Sequence, residues 1–555
     1  MSGSDVFVHP KGTRARVLLT SVFKPYAVDD EYGSRSINPM ELYHNQVTRE
    51  QGPFSLRMFH RSWGLMLIQE NISAPSTLLD FPSRSRFIRE LRRGRYDIVG
   101  ISGIIVNVGK VREMCRLVRE HSPDSKIVVG GHVTALPDIE QRIDADHIVR
   151  GEGVRWFRQH LGEDPRRAIT HPAYYSSFGF RLMGLRGPRR GDNPMATIIP
   201  SVGCPLGCHF CTTSAFFGGK GRHVSFFHRG ADLFEAMCHV ERTLRVSNFF
   251  MLDENFLLYK RRALELLDLM RAHGKSWSLY VFSSANAVSK YSVRELVDLG
   301  VSWVWLGLES VRGGFAKLKG IDTRALTQEL QAHGIRVHGS TIIGLDHHTP
   351  DNIADEIEGA IDYDADCHQF MLCTAMPGTP LYAEMQREGR LAKEVELADI
   401  HGQFKLNFRH PFIGRDASKS ILDWAFRRDY ERNGPSIFRV TRTMLAGWKR
   451  YRDDPDPRVR ARFAAEGRQL TRGYGAALWA MERYLRDVNH DVGERIRALR
   501  LEIEREGGAI ARTIHRTVGP VLLWSARREA ARHPRGRHLE PRTFVTRRAP
   551  AASST

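Results

Sequence analysis

Six short apolar runs recur between residues 196 and 372: Ala196 to Val202, Asn248 to Leu252, Ser278 to Phe282, Ser302 to Leu306, Arg336 to Ile343 and His368 to Leu372. Their starts lie 52, 30, 24, 34 and 32 residues apart, and amphipathic patterns such as Arg261 to Ala272 fill the gaps. Runs of this length bounded by turn signals read as buried strands, and a strand followed each time by a helix can only satisfy its neighbours in a parallel sheet. The pattern therefore predicts a partial, TIM-like (β/α)6 barrel over 195–400. In such a barrel the loops after the strands build the site.

A second alternation occupies 14–165, with strand candidates at Val17 to Val22, Thr77 to Phe81, Asp97 to Ser102, Lys126 to Gly130 and Asp146 to Val149 and a helix at Val108 to Glu120. It predicts a Rossmann-like α/β domain. Ser102-Gly103 and Gly130-Gly131-His132 end two of its strands, and Gly151-Glu152-Gly153 follows the last. Glycine at a strand's carboxyl end lets a phosphate or nucleotide tail approach the backbone, and it also serves an ordinary tight turn. Residues 29–71 are too long for a simple connection and read as a lid or a small subdomain. A Pro-, Gly- and Arg-rich stretch, 166–194, reads as a linker, and 401–535 reads as a helical domain. There Ile496, Leu499, Ile503, Ile510 and Ile514 fall on one helix face. Residues 536–555 are expected to be a disordered basic tail.

Composition narrows the function classes. Apolar residues make up 42% and charged residues 26%, which excludes general disorder. The net charge is +19, of which +6 sits between Ala526 and Thr555. The remaining basic residues are spread over helices rather than interleaved with aromatics on one stripe, so nucleic acid is not the expected partner. A basic amphipathic helix leaves peripheral membrane contact open. The N-terminus has no signal-like apolar core, and no run approaches 18 apolar residues; a cytoplasmic, non-spanning protein is expected. Seven cysteines, three of them crowded into GCPLGCHFC as Cys204, Cys208 and Cys211, are not a disulfide framework. Three thiols on one loop call for a metal. Zinc with His209, His223 or His228 as fourth ligand is one answer, but no second Cys or His pair follows at zinc-finger spacing. An iron-sulfur cluster at the mouth of the barrel is the other, and the position after the first barrel strand favours it.

CxxxCxxC with Phe210 just before its last cysteine resembles the radical S-adenosylmethionine (SAM) superfamily. The resemblance implies a 4Fe-4S cluster on Cys204, Cys208 and Cys211, with SAM on the fourth iron and cleaved to a 5'-deoxyadenosyl radical. It extends to Asp253-Glu254-Asn255 after the second strand, Gly307-Leu308-Glu309-Ser310 after the fourth and Ile343-Gly344-Leu345 after the fifth. Phe210, Asp253, Glu254, Glu309, Ser310 and Gly344 are thereby candidate SAM contacts, although DEN stands where the superfamily usually has GGE. Capping of a helix is the alternative for each carboxylate. Cys373, after the sixth strand, is either a hydrogen-atom donor or an inert core cysteine.

YDIVGIS, KIVVGGH and DHIVRGEG, ahead of the CxxxCxxC barrel, are similar to the cobalamin-binding branch of that superfamily, which includes the class B methylases. On that resemblance Ser102, Gly103, Gly130, Gly131, His132, Gly151, Glu152 and Gly153 are candidate cobalamin contacts. No DxHxxG follows the first strand, so a histidine ligand below the cobalt is not expected. The resemblance implies C-methylation of an unactivated carbon, with one SAM methylating the cobalamin and a second yielding the radical, and electrons from a flavodoxin or ferredoxin. Radical cyclisation, oxidation or rearrangement without methyl transfer is the alternative, and RNA modification a further one. The substrate, whether small molecule, lipid or peptide, is not encoded in any motif.

Overall fold

A computed structural model describes residues 7–24, 47–186, 194–532 and 543–549. In the first domain Val17–Ser21 lies centrally, flanked by Ser76–Asp80 on one side and by Ile98–Ser102, Lys126–Gly130 and His147–Ile148 on the other, all parallel. Successive side chains point to opposite faces, and two cores follow. Leu18, Leu79 and Val99 pack with Phe87, Val111 and Met114, while Val17, Leu19 and Val128 pack with Leu65 and Phe157.

Three connecting segments differ from expectation. Trp63–Asn71, inside the expected insert, is the helix that carries the chain from the first strand to its neighbour: Leu65 buries in the domain's core, while Leu67 packs in a cluster that joins Val154 to Phe250 and Tyr280 of the second domain; residues 29–46 lie outside the described residues. The expected linker contains Ser177–Leu182 and Leu185–Arg186, which join Arg57–His60 in a three-stranded antiparallel sheet. The expected disordered tail forms the strand Phe544–Arg548, antiparallel to Ser76–Asp80. An edge strand presents unpaired N–H and C=O groups, and FVTRR supplies both the ladder and the charge. Arg547 meets Glu90 at 2.9 and 3.1 Å, and Arg548 meets Glu70 at 3.0 Å.

In the second domain Met195–Ile198, Asn248–Met251, Ser278–Ser283, Val301–Glu309, Arg336–Ile343 and Cys367–Leu372 form one parallel sheet in chain order. Helices such as Gly230–Leu244 and Lys260–Ala272 cover it. The expected first strand is split. Pro200 has no N–H to donate, so the parallel strand stops at Ile198 and Ser201–Val202 pairs instead with Val224–Ser225. That break swings the cysteine loop over the barrel end. The third domain packs Arg415–Asn433, Ser436–Tyr451, Pro457–Gln469, Gly475–Leu485 and His490–Arg532. Gly508 (φ 65°, ψ −153°) interrupts the last helix, so Ile496, Leu499 and Ile503 are buried while Ile510, expected on their face, is 76% exposed. Among the described residues no helix is long and apolar enough to cross a membrane.

Candidate active site at the barrel mouth

The cysteine loop is held by its own backbone. Gly203 and Gly207 take φ of 86° and 68°, and a Cβ at Gly207 would stand 2.5 Å from that of Lys220, so the turn requires glycine. Cys211 N–H donates to Cys208 O (2.9 Å), Ser214 Oγ to Cys204 O (2.7 Å) and Gly221 N–H to Pro205 O (2.8 Å). The three thiols are free and half-buried. Burial pushes Cys204 up to about 11 and raises Cys211 as well, so these two sulfurs become thiolates at neutral pH only against a cation. A loop fixed with three half-buried, unpaired thiols fits an iron-sulfur cluster.

Glu254 is the group beside it that lacks a counter-charge. Its Oε2 is buried with no hydrogen-bond partner among the described residues, and burial, reinforced by Asp253, pushes its carboxyl up to about 8. Asp253 differs. It accepts from Ser201 Oγ (2.7 Å), Arg262 Nη2 (2.6 Å) and the Asn255 N–H (3.1 Å), with Arg262 itself 4% exposed. Asp253 is thus spent internally, locking the DEN turn that aims Glu254.

The remaining rim residues are also engaged. Glu309 pairs with Lys317, and Ser310 Oγ donates to Glu356 Oε2 (2.8 Å). Gly344, at φ 82°, donates its N–H to His348 Nδ1 (3.0 Å). His347, His348 and Glu356 place ligand-type atoms within 4.8 Å of one another, yet His348 Nδ1 already accepts from Gly344 and Leu345. Its proton therefore sits on Nε2, 3.9 Å from Glu356 Oε2, where a metal would need a lone pair. The trio ties the ends of the fourth and fifth strands together. Phe210 packs edge-on to Phe315, with ring centroids 6.1 Å apart. Cys373 lines a cavity of about 420 Å³ with His209, Phe315 and His347, and burial pushes its thiol up to about 12.

A second cavity, of about 220 Å³, opens between the domains. Ser102, Gly130, Gly131, His132, Gly151, Glu152 and Gly153 line its first-domain side, and Phe216 and Phe217, just past the cysteine loop, line the other. No atom lies within 4 Å of a Cβ built on Gly130 or Gly151, which leaves open space for a ligand's tail. His132 packs against Phe216 with the rings tilted by 46° and centroids 4.5 Å apart, and its buried Nδ1 has no partner among the described residues; burial lowers it to about 4, so the ring is neutral. Two expected contacts do something else. Glu152 accepts from the Val154 and Arg155 N–H groups as the N-cap of Gly153–His160. Gly103 faces away from the cleft, where a Cβ would meet Val111 at 2.6 Å.

Residues 71–159 match the B12 binding domain family. An uncharacterised methyltransferase of Pyrococcus horikoshii is 25% identical over 327 residues, covering 52% of this chain and 68% of that one. Bacteriochlorophyllide d C-12(1)-methyltransferase of Chlorobaculum tepidum is 27% identical over 315 residues, covering 52% and 66%. The fold is similar to that of TsrM, a radical SAM methyltransferase from Kitasatospora setae solved with cobalamin and a 4Fe-4S cluster. Its TM-score is 0.51 at 16% identity, over 82% of this chain and 99% of that one. The chain thus carries a B12-binding-type domain over 71–159 and is similar to methyltransferases over about half of its length. Lys317, Arg262, Phe216, Phe217, His348 and Glu356 are residues around these two cavities and the cysteine loop that motif reading misses. Arg262 alone carried a signal, an arginine on the buried face of an amphipathic helix seven residues beyond DEN.

Proposed function

We propose that this chain is a cobalamin-dependent radical SAM methylase acting on an unactivated carbon. The observation that carries the reading is the shared wall: Phe216 and Phe217, reached directly from the three cysteines, close the cleft whose other side is the glycine-lined edge of the B12 binding domain. Cys204, Cys208 and Cys211 would hold the cluster, Glu254 would meet the ammonium of SAM, and Ser102, Gly130, Gly131 and Gly151 would seat the cobalamin tail. When bound, these groups supply reductive cleavage of a sulfonium, a carbon-centred radical on the substrate and a methyl group to quench it.

The protein's own residues position and shield. Arg262 and Ser201 fix Asp253 so that the carboxylate next to it points at the cluster loop. Glu254 holds a proton at neutral pH until a cation displaces it, which couples cofactor entry to proton release. Phe210, packed edge-on to Phe315, and Phe216 and Phe217, packed edge-on to each other, are the rings that would shield bound cofactors from water. The first domain's His132 is neutral and adds no charge at the shared wall. Electrons would come from a flavodoxin or ferredoxin, and the chain's net charge of +19 favours an acidic donor. The test is anaerobic reconstitution with iron, sulfide and hydroxocobalamin, followed by assay of 5'-deoxyadenosine and of product mass. A product heavier by one methylene supports methylation. Radical formation with no mass gain rejects methyl transfer, and zinc as the sole metal rejects the whole reading.

A further inference from the structure

A lysine faces the cysteine loop from across the barrel mouth, and the local fold is bent to hold it there. The fourth strand loses register between Gly307 and Glu309, and Glu309 stands at φ 61°, a left-handed conformation costing a residue with a side chain about 1–2 kcal/mol. That turn brings its carboxylate onto the Lys317 ammonium. Gly307 makes the room: a Cβ there would lie 2.3 Å from Glu309 Oε1 and 2.8 Å from Lys317 Nζ. Lys317 and Glu309 side chains are 16% and 6% exposed. The ammonium stands 5.9 Å from the centroid of Phe210 and within electrostatic reach of Cys208 and Cys211.

A buried ion pair is weak evidence for stability, because desolvation offsets most of the attraction. Here a residue held in the left-handed backbone region, a desolvated ammonium and a glycine beneath both side chains converge beside two of the cysteines, which is the pattern of strain kept for function. An ammonium has three donors, and among the described residues Glu309 is its hydrogen-bond acceptor. Two donors are left for an anion arriving at the cysteine loop. We propose that Lys317 is a cofactor-positioning residue that binds the carboxylate of SAM and offsets the negative charge of the thiolate-held cluster. This rests on the functional reading above.

The test compares wild type with Lys317→Met, Lys317→Gln and Lys317→Arg in the full-length, anaerobically reconstituted protein. The readouts are iron content, SAM affinity by equilibrium dialysis and the midpoint potential of the cluster without SAM. Removing a hydrogen bond to a charged group should weaken SAM binding by about tenfold or more in the Met and Gln variants. Their midpoints should move negative, because reduction adds charge no longer balanced, while Arg stays close to wild type in both. Should Met fail to fold, Gln carries the comparison. Affinity and midpoint unchanged in the neutral variants, or lost equally in Arg, overturn the assignment. Wild-type protein that takes up no cluster overturns the functional reading and this inference with it.

Discussion

Adjacent glycines at one strand end separate the cobalamin reading from mere fold. Gly130 has space around it: a Cβ there meets no atom within 4 Å, and its backbone is that of a strand. Gly131 has none, since it sits at φ 83° and a Cβ would lie 2.5 Å from Gly103 O and 3.0 Å from Ser102 Oγ. Gly130→Val suits the strand and should shift stability by no more than about 1 kcal/mol. Its side chain would project into the cavity of about 220 Å³. Gly131→Ala incurs about 1–2 kcal/mol for the left-handed backbone and about 1–3 kcal/mol for the backbone clash. Full-length variants are incubated with hydroxocobalamin, desalted, and read by visible absorption per mole of protein, with urea titration followed by far-UV circular dichroism. Gly130→Val should keep its urea midpoint and retain about a tenth or less of the wild-type cobalamin. Gly131→Ala should lose stability and ligand together. Gly130→Val that still holds one cobalamin per chain would show that this cleft is not the ligand's seat, and the methylase reading would lose its second cofactor.

Glu254→Gln tests the raised carboxyl: a folded value near 8 means that apo stability falls as pH rises from the ordinary 4.5 through 8, so the variant should be more stable than wild type by about 3 kcal/mol at pH 7 and equal to it below pH 4. In the reconstituted wild type, SAM affinity should rise with pH up to about 8 and the Gln variant should lack that slope; parallel profiles would refute the role. Cys208→Ala should bind less iron and form no 5'-deoxyadenosine while its circular dichroism is unchanged; retained turnover would end the catalytic reading. Truncation after residue 542 removes the edge strand and the Arg547–Glu90 pair, and should destabilise the first domain by about 2–4 kcal/mol in urea, with faster amide exchange at Ser76–Asp80. Unchanged exchange there would mean that the strand is not formed in solution.

The barrel was legible because its signal is repetitive: six runs at a strand-plus-helix period, each with a small or acidic residue at its end. Strand boundaries moved where a single residue overrode the pattern, as Pro200 did by ending the first strand early. The cysteine loop was legible as a motif, since its three cysteines fall within eight residues at a fixed spacing. Side-chain roles were less so. Asp253 and Glu254 are neighbours of the same type, and only the approach of Arg262 and Ser201 from other segments distinguishes the spent carboxylate from the open one. Lys317 carries no local signal, because its meaning comes from a bend at Gly307 and from cysteines more than a hundred positions earlier. The periodic Ile510 misled, for periodicity assumes an unbroken helix and Gly508 breaks it.

The segments that composition marks as loose are the ones that join the domains. The sheet strand Arg57–His60 comes from the insert and its partners Ser177–Leu182 and Leu185–Arg186 come from the linker. Arg181 on that sheet pairs with Glu529 of the last helix, and Gly184 lies so close to that helix that a Cβ would stand 3.0 Å from Ser525 Oγ. Beyond that helix the chain returns to the opposite edge of the first domain as Phe544–Arg548. The ladders and ion pairs lie outside the cores of the two parallel sheets, while Met183, between the linker strands, buries with Phe54 in the core of the helical domain. A cleft whose two walls come from different domains requires these contacts, because reacting groups held even 1 Å out of place lose much of their rate advantage. His132 on one wall and Phe216 on the other keep their 4.5 Å contact only as long as the domains hold register. The polar, Arg- and Gly-rich composition of the straps then has a physical reason: they bind across a surface through backbone ladders and ion pairs, and have no core of their own to fill.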